Sequence, residues 1–144
     1  MKTRILTTAI ILFSILLVNP KHLNAQSGVK HKIVMQLASA DTMTWKGLMN
    51  NLRNLKEGWG DSLLIEVVAH GPGIELLMKQ KTTQLENIRK MKAKGIVFYA
   101  CENTMKEKKI LPESIIPEAV FVQMGIGHVV LRQEAGWSYI KAGF

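Results

Sequence analysis

The chain has 144 residues, 47% of them hydrophobic, and a formal net charge of +8. This length allows one domain with a buried core and leaves no room for a second domain of ordinary size. The single cysteine excludes an internal disulfide.

The N-terminal residues have the pattern of a secretory signal peptide. Lys2 and Arg4 precede an apolar stretch from Ile5 to Val18, and a polar stretch then ends at Ala25. The apolar stretch is shorter than the roughly 20 residues needed to cross a bilayer, so a retained membrane anchor is the less favoured alternative. We expect a signal peptide over residues 1–25, a mature domain over 26–144 and a periplasmic or secreted location. No nucleic-acid partner and no stable membrane insertion are expected for such a protein.

A buried strand and an amphipathic helix open the mature domain. The apolar run from Lys32 to Leu37 predicts the strand, and Ser39 or Asp41 can cap the helix that follows it. The helix has apolar residues at steps of three and four, and Gly58 is predicted to end it. These apolar residues are Trp45, Leu48, Met49, Leu52 and Leu55.

The second predicted strand, Ser62–Ala69, runs into a turn at His70–Gly73, where the glycines and the proline stop regular structure. A short helical segment around residues 74–78 then precedes a clearer helix, which Gly95 closes. That helix buries Leu85, Ile88 and Met91 and is supported by the Glu86 and Lys90 pair.

Basic residues occupy the opposite side of this second helix and the segment before it. They are Lys79, Lys81, Arg89, Lys90, Lys92 and Lys94. We interpret them as a solvated helix face, with docking to an acidic partner or surface as the alternative.

The rest of the chain repeats the order of strand and helix. Ile96–Ala100 is predicted to form strand three, and Cys101–Thr104 a strand-to-helix turn in which Asn103 or Thr104 caps the helix. Val120–Met124 is predicted to form strand four, and Gly125–Gly127 is predicted to form a turn. A last helix, with Ile126, Val130 and Gln133 on one face, ends at Gly136, and Trp137–Lys141 forms a short aromatic strand. Near-continuous apolar strands that alternate with helices predict an α/β fold with a mostly parallel sheet and helices on both faces.

Ligands of such sheets bind outside the carboxyl ends of the strands. The turns at Ser39–Asp41, His70–Gly73, Cys101–Asn103 and Gly125–His128 all fall there. At the start of a helix, Cys101 is placed where free N–H groups favour a thiolate, although Glu102 opposes this effect. A buried, inert thiol is the alternative.

Two histidines also fall at this edge of the sheet. His70 is a candidate general acid or base, or a cation beside a bound anion, and a turn histidine bonded to backbone is its alternative. We expect His128 to be a packed or capping residue. No metal-ligand spacing and no nucleotide-binding glycine motif is present, so we expect neither a metal nor a cofactor.

The segment Tyr99–Met105 resembles the reactive segment of the DsrE/DsrF-like sulfur-relay family, in which a strand ends in Ala-Cys before Asn and a small hydroxyl residue. Val67–Gly71 resembles the family's second-strand motif, and Met124–Ile140 resembles its glycine turn, helix and aromatic strand. The likeness covers nearly the whole mature domain. It implies a three-layer α/β/α fold with a five-stranded sheet, flavodoxin-like in outline.

The resemblance further implies assembly into trimers or hexamers and sulfur carriage on Cys101 as a persulfide, exchanged with a donor or acceptor protein. On this interpretation Cys101 and His70 are catalytic, and Gly71, Gly73, Asn103 and Gly127 bind the ligand. Surfaces for a homo-oligomer are expected at the sheet edge near Glu66 and at the terminal strand. The alternative function is a non-catalytic oligomeric module that binds a small anion or a thiol ligand.

Overall fold

The computed structural model describes residue 28 and residues 31–143. Its strands are β1 (His31–Leu37), β2 (Leu63–Ala69), β3 (Val97–Cys101), β4 (Val120–Val122) and β5 (Ser138–Lys141), and its helices are α1 (Thr42–Trp59), α2 (Leu85–Ala93), α3 (Glu102–Lys108) and α4 (Gly125–Glu134). Short 3₁₀ helices occupy Gly60–Ser62, Gly71–Leu77 and Pro112–Ser114. The predicted signal peptide lies outside the described residues.

The five strands form one parallel sheet in the order β4-β3-β2-β1-β5. β1 and β2 lie inside the sheet, paired in register from His31 with Leu63 to Leu37 with Ala69, whereas β4 and β5 are its edges. Every connection between neighbouring parallel strands contains a helix, as parallel pairing requires. The predicted α/β class with a parallel five-stranded sheet is therefore confirmed.

Side chains alternate between the two faces of the sheet and build two cores of unequal size. We call the larger side the α1 face; there Met35, Leu37, Val67 and Phe98 pack with the buried side of α1 and with Ile88 of α2. The opposite side, the α4 face, has a small core of Val34, Val68 and Val129, against which Tyr99 and Trp137 pack. Helices cover both faces, which gives the expected three layers.

Helix α1 begins and ends for local reasons. Asp41 caps it, since its carboxylate accepts from the N–H groups of Met43 at 3.2 Å and Thr44 at 2.9 Å. The predicted end at Gly58 is wrong. The helix continues to Trp59, and Gly60 caps it at φ 53°, a conformation that glycine adopts without steric cost.

Two further local predictions are corrected by longer-range packing. Glu86 pairs with Arg89 at 2.8 Å rather than with Lys90, because Arg89 also reaches Glu118 at 2.7 Å and is held between the two carboxylates. Gly125–Gly127 is the first turn of α4 and not a separate turn. Within the described residues, no helix has the length and apolar content needed to cross a membrane.

Candidate functional site

Cys101 joins β3 to α3 on the α4 face of the sheet. Strand β3 has the predicted length but lies one residue further along the chain, so Cys101 is both its last residue and the N-cap of α3. The predicted cap at Asn103 or Thr104 is therefore wrong. The side chain of Cys101 is 5% exposed, beneath the beginning of α4.

The Cys101 thiol lies among donors that favour its ionised form. Burial raises its pKa, but the N–H groups of Thr104, Gly125 and Asn103 and the hydroxyl of Thr104 together lower that pKa below the ordinary value of 9.0. The Gly125 N–H donates to Sγ at 3.2 Å. The predicted stabilisation of the thiolate by the N-terminus of α3 thus has a structural basis. The Gly125 N–H, 24 residues further along the chain, adds a donor from α4.

Gly125 favours this contact because α4 approaches the sheet closely. A Cβ atom at this position would lie 3.1 Å from Cys101 Cβ, 3.2 Å from Val68 Cγ1 and 3.3 Å from Cys101 Sγ. All three distances are tighter than ordinary side-chain contacts. A glycine lets the helix N-terminus rest on the thiol without displacing these neighbours, a role that the Met124-Gly125 sequence does not reveal by itself.

Thr104 is a second residue whose place in the site was not predicted. It is 6% exposed, and its Oγ1 accepts from the Gly71 N–H at 3.0 Å while its hydroxyl lowers the pKa of Cys101. One buried hydroxyl therefore joins the loop after β2 to the thiol at the end of β3. In the sequence, the small hydroxyl residue after Asn103 in the family-like segment was the feature that could have indicated this role.

His70 follows the last residue of β2, on the strand next to that of Cys101. Ala69 pairs with Ala100, so the two candidate residues come directly after a paired position of neighbouring strands. The imidazole Nε2 lies 2.7 Å from Gln36 Nε2, and Gln36 Oε1 in turn accepts from the Tyr139 hydroxyl. With the Gln36 amide nitrogen as the donor, His70 Nε2 is the acceptor, an arrangement that requires the neutral ring. Burial lowers the His70 pKa in keeping with this.

The two glycines after His70 serve the backbone. Gly71 has φ 51° and gives its N–H to Thr104, whereas a Cβ at Gly73 would lie 2.2 Å from the Leu37 carbonyl oxygen. Gly73 therefore permits the close approach of the loop to β1. Their predicted role in ligand binding stays a prediction.

The other two predicted ligand-binding residues are more peripheral. Asn103 has an exposed side chain, and its N–H donates to the Gln123 carbonyl at 3.1 Å, which ties α3 to the end of β4. Gly127 lies in the first turn of α4, where a Cβ would meet the flexible Met124 side chain at 3.1 Å. The structure thus brings both toward the same edge of the sheet as Cys101, where Asn103 contributes a backbone N–H to the thiol.

A buried ion cluster, formed by Glu66, His128 and Arg132, lies further along the α4 face. Glu66 Oε2 accepts from His128 Nε2 and from Arg132 Nε, each at 2.6 Å. His128 also packs on Tyr99 with ring centroids 4.4 Å apart, so it is a packed residue, as expected. The expectation that Glu66 marks a sheet edge is wrong, because β2 is an interior strand and Glu66 is 7% exposed.

The described residues contain no group of three or more His, Cys, Asp or Glu side chains arranged to hold a metal ion. A groove of about 440 Å³ lies on the α1 face between α1 and β5, lined by Met35, Leu55, Trp59 and Ile140 among others. It is on the opposite face of the sheet from Cys101, so it is separate from the candidate site.

Comparisons with known proteins agree with this architecture. A family model described as the DsrE/DsrF-like family matches residues 29–142. A protein of unknown function, MTH1491 from Methanobacterium thermoautotrophicum, has a similar structure, with a TM-score of 0.72 and 29% identity over 77% of this chain and 98% of that chain. A conserved protein of unknown function, BT1422 from Bacteroides thetaiotaomicron, shares the fold, with a TM-score of 0.61 and 21% identity over 82% and 99% of the two chains. A search among curated proteins found no match.

Proposed function

The chain belongs to the DsrE/DsrF-like family, and on that premise we propose that it is a sulfur carrier or sulfurtransferase that holds sulfur as a persulfide on Cys101. The observation that carries the proposal is the donor set around the chain's only thiol, which lowers its pKa despite burial. A thiolate is the form of cysteine that attacks sulfur.

Sulfur transfer at Cys101 takes place as two displacements. The Cys101 thiolate attacks the outer sulfur of a donor persulfide R–S–SH; an S–S bond forms, the donor S–S bond breaks, and RS⁻ leaves with the bonding electrons. An acceptor thiolate then attacks the outer sulfur of Cys101–S–SH, becomes a persulfide and regenerates the Cys101 thiolate. Neither step requires an external oxidant or reductant, and the Gly125 N–H stabilises the thiolate that starts and ends the cycle.

His70 has a supporting role in this proposal. Its neutral ring is oriented by Gln36, so the remaining nitrogen, Nδ1, carries a proton. A neutral imidazole one strand away from Cys101 can donate a hydrogen bond to an incoming sulfur anion without becoming charged. We therefore expect His70→Ala to slow sulfur transfer without abolishing it.

The direct test is the mass of the reduced protein after incubation with polysulfide. Wild-type protein is expected to gain one sulfur atom on the peptide that contains Cys101. Cys101→Ser is expected to gain none while keeping the wild-type circular dichroism spectrum and melting temperature within a few degrees.

The proposal extends to assembly and location. Apolar side chains on the outer side of α4 and on edge strand β4 are 43–62% exposed: Phe121, Met124, Ile126, Val130 and Leu131. We propose that a homo-oligomer, a trimer or hexamer, covers them; light scattering that gives a monomer at micromolar concentration contradicts this. We also propose export with cleavage near Ala25, for which mass spectrometry should find a mature chain that starts near Gln26.

The burial of Cys101 favours a second candidate function, a non-catalytic module that binds a small anion or a thiol ligand. A side chain 5% exposed can be reached by a sulfur donor only if α4 or the loop after β2 moves. Folded, reduced wild-type protein that takes up no sulfur and resists iodoacetamide for hours would establish the binding module and reject the carrier.

A further inference from the structure

Helix α4 is attached to the sheet at two places. At its start, Gly125 rests on Cys101 and Val68; one and two turns later, His128 and Arg132 bond to Glu66. The two attachments are about 5–10 Å apart along the helix axis. A helix is stiff over this length, so a change at the second attachment displaces the first.

Apolar packing holds α4 only weakly. Within the helix, Gly125 and Val129 are the buried residues, whereas Ile126, Val130 and Leu131 are 50%, 46% and 62% exposed. One buried aliphatic side chain does not define the position of a helix on a flat sheet. The two 2.6 Å hydrogen bonds to Glu66 are directional, and they therefore define the position of α4 on the sheet.

Arg132 and His128 are themselves held from the side. The Arg132 guanidinium lies 5.0 Å from the centre of the Trp137 ring, and the His128 ring packs on Tyr99. Glu66 thus meets two donors whose positions are set by aromatic residues of the same face. The ion cluster therefore has a defined geometry, unlike an ion pair between two mobile side chains on the surface.

We propose that Glu66 is a positioning residue for Cys101: through His128 and Arg132 it fixes α4, and thereby keeps the Gly125 N–H on the Cys101 sulfur. This inference rests on the proposed function in so far as it takes Cys101 as the reacting thiol. It assigns to a buried carboxylate on β2 a role in thiol reactivity that acts through a helix.

A purely electrostatic role for Glu66 predicts an effect of the opposite sign. Glu66 pairs with Val97, four residues before Cys101 on β3, so the carboxylate and the thiol are about 13 Å apart along the sheet. At that distance a negative charge weakly disfavours the thiolate, and its removal would lower the thiol pKa. Loss of the Gly125 N–H would raise it.

Two substitutions at Glu66 separate these roles. Glu66→Asp keeps the charge but is too short to reach both partners, and Glu66→Gln keeps the length but removes the charge. Because a weakened hydrogen bond to the thiolate raises its pKa, both variants should have a thiolate population about threefold to tenfold smaller at neutral pH. The pH dependence of thiolate ultraviolet absorbance measures this shift without a reagent that has to reach the buried sulfur. Amide exchange at Gly125 should accelerate relative to the amides of β1 in the same protein.

The control is Glu118→Gln. Glu118 is comparably buried, at 12% side-chain exposure against 9% for Glu66, and it also accepts from an arginine Nε, that of Arg89 at 2.7 Å. It has no contact with α4 among the contacts described, so its loss should leave the thiol profile unchanged. If neither Glu66 variant folds, Arg132→Gln, at a position that is 33% exposed, removes one of the two bonds and is read by Gly125 exchange.

The proposal is overturned if the thiol pKa falls or stays the same in folded Glu66 variants, or if Gly125 exchange follows that of β1. The effect of Glu66 on the thiol can be tested whether or not Cys101 takes up sulfur. If wild-type Cys101 ionises and alkylates but accepts no sulfur, the proposed function fails while the effect of Glu66 on the thiol pKa remains measurable.

Discussion

Replacing Thr104 by valine should weaken both the loop after β2 and the thiolate of Cys101. Valine has nearly the same shape as threonine but lacks the hydroxyl that accepts the Gly71 N–H at 3.0 Å. The site is 6% exposed, so water cannot readily replace the lost acceptor. An unsatisfied buried donor costs about 1–3 kcal/mol, and we expect the free energy of unfolding to fall by that amount.

The same substitution removes one of the groups that lower the pKa of Cys101. A single hydrogen bond is worth about 0.5–1.5 kcal/mol, so the thiolate population at neutral pH should fall about twofold to tenfold. Urea denaturation gives the first quantity. The pH dependence of thiolate ultraviolet absorbance, with iodoacetamide rates as a second readout, gives the other.

Thr104→Ser is the matched control, because it keeps the hydroxyl and removes only a methyl group. It should cost at most about 1 kcal/mol of stability and leave the thiol titration unchanged. If Thr104→Val titrates like the wild-type protein, or if Thr104→Ser raises the thiol pKa as much, the hydroxyl does not act on Cys101 and this reasoning is refuted.

Gly73→Ala should prevent folding or lower the melting temperature by many degrees, since its Cβ would lie 2.2 Å from the Leu37 carbonyl oxygen. Gly47→Ala, at a position on α1 with open space around it, should instead stabilise the protein by about 0.5–1 kcal/mol. Thermal melts compare the two variants. Because the pKa of Cys101 is lowered in the folded state, the unfolded chain binds more protons at pH values between the folded pKa and 9.0. The free energy of unfolding measured in urea should therefore rise with pH through that window, and Cys101→Ser should remove the rise. Burial lowers the His70 pKa, so stability should fall as pH drops below about 6.5, less steeply in His70→Gln; equal slopes in both proteins would contradict this.

Local pattern was enough to predict the elements near the candidate site. The run from Lys32 to Leu37 and the run that ends at Ala69 are apolar at nearly every position, which is typical of strands covered on both faces, and both are strands of the interior. Trp45, Leu48 and Leu52 follow the helical period and are buried in α1. These predictions succeeded because burial leaves a local mark in the sequence: a continuous apolar run for a strand covered on both faces, and the helical period for a buried helix face.

The predictions that failed involve residues whose environment comes from another part of the chain. Glu66 interrupts an apolar run, and a charge in such a run is typical of a sheet edge. The pairing of β2 between β1 and β3 instead buries it under α4, where His128 and Arg132, 62 and 66 residues away, accommodate its charge. In the same way, Ile126 and Val130 have helical spacing but are half exposed, because the glycine side of α4 faces the sheet.

By itself the sequence determined the fold class, the position of Cys101 at the carboxyl end of a strand, and the family resemblance that the comparisons confirmed. Only the tertiary structure decided which groups surround the thiol, among them the Gly125 N–H and the Thr104 hydroxyl. The physical reason is that period and propensity are properties of neighbouring residues, whereas the pKa of a buried thiol depends on donors that the order of the strands brings together from distant segments.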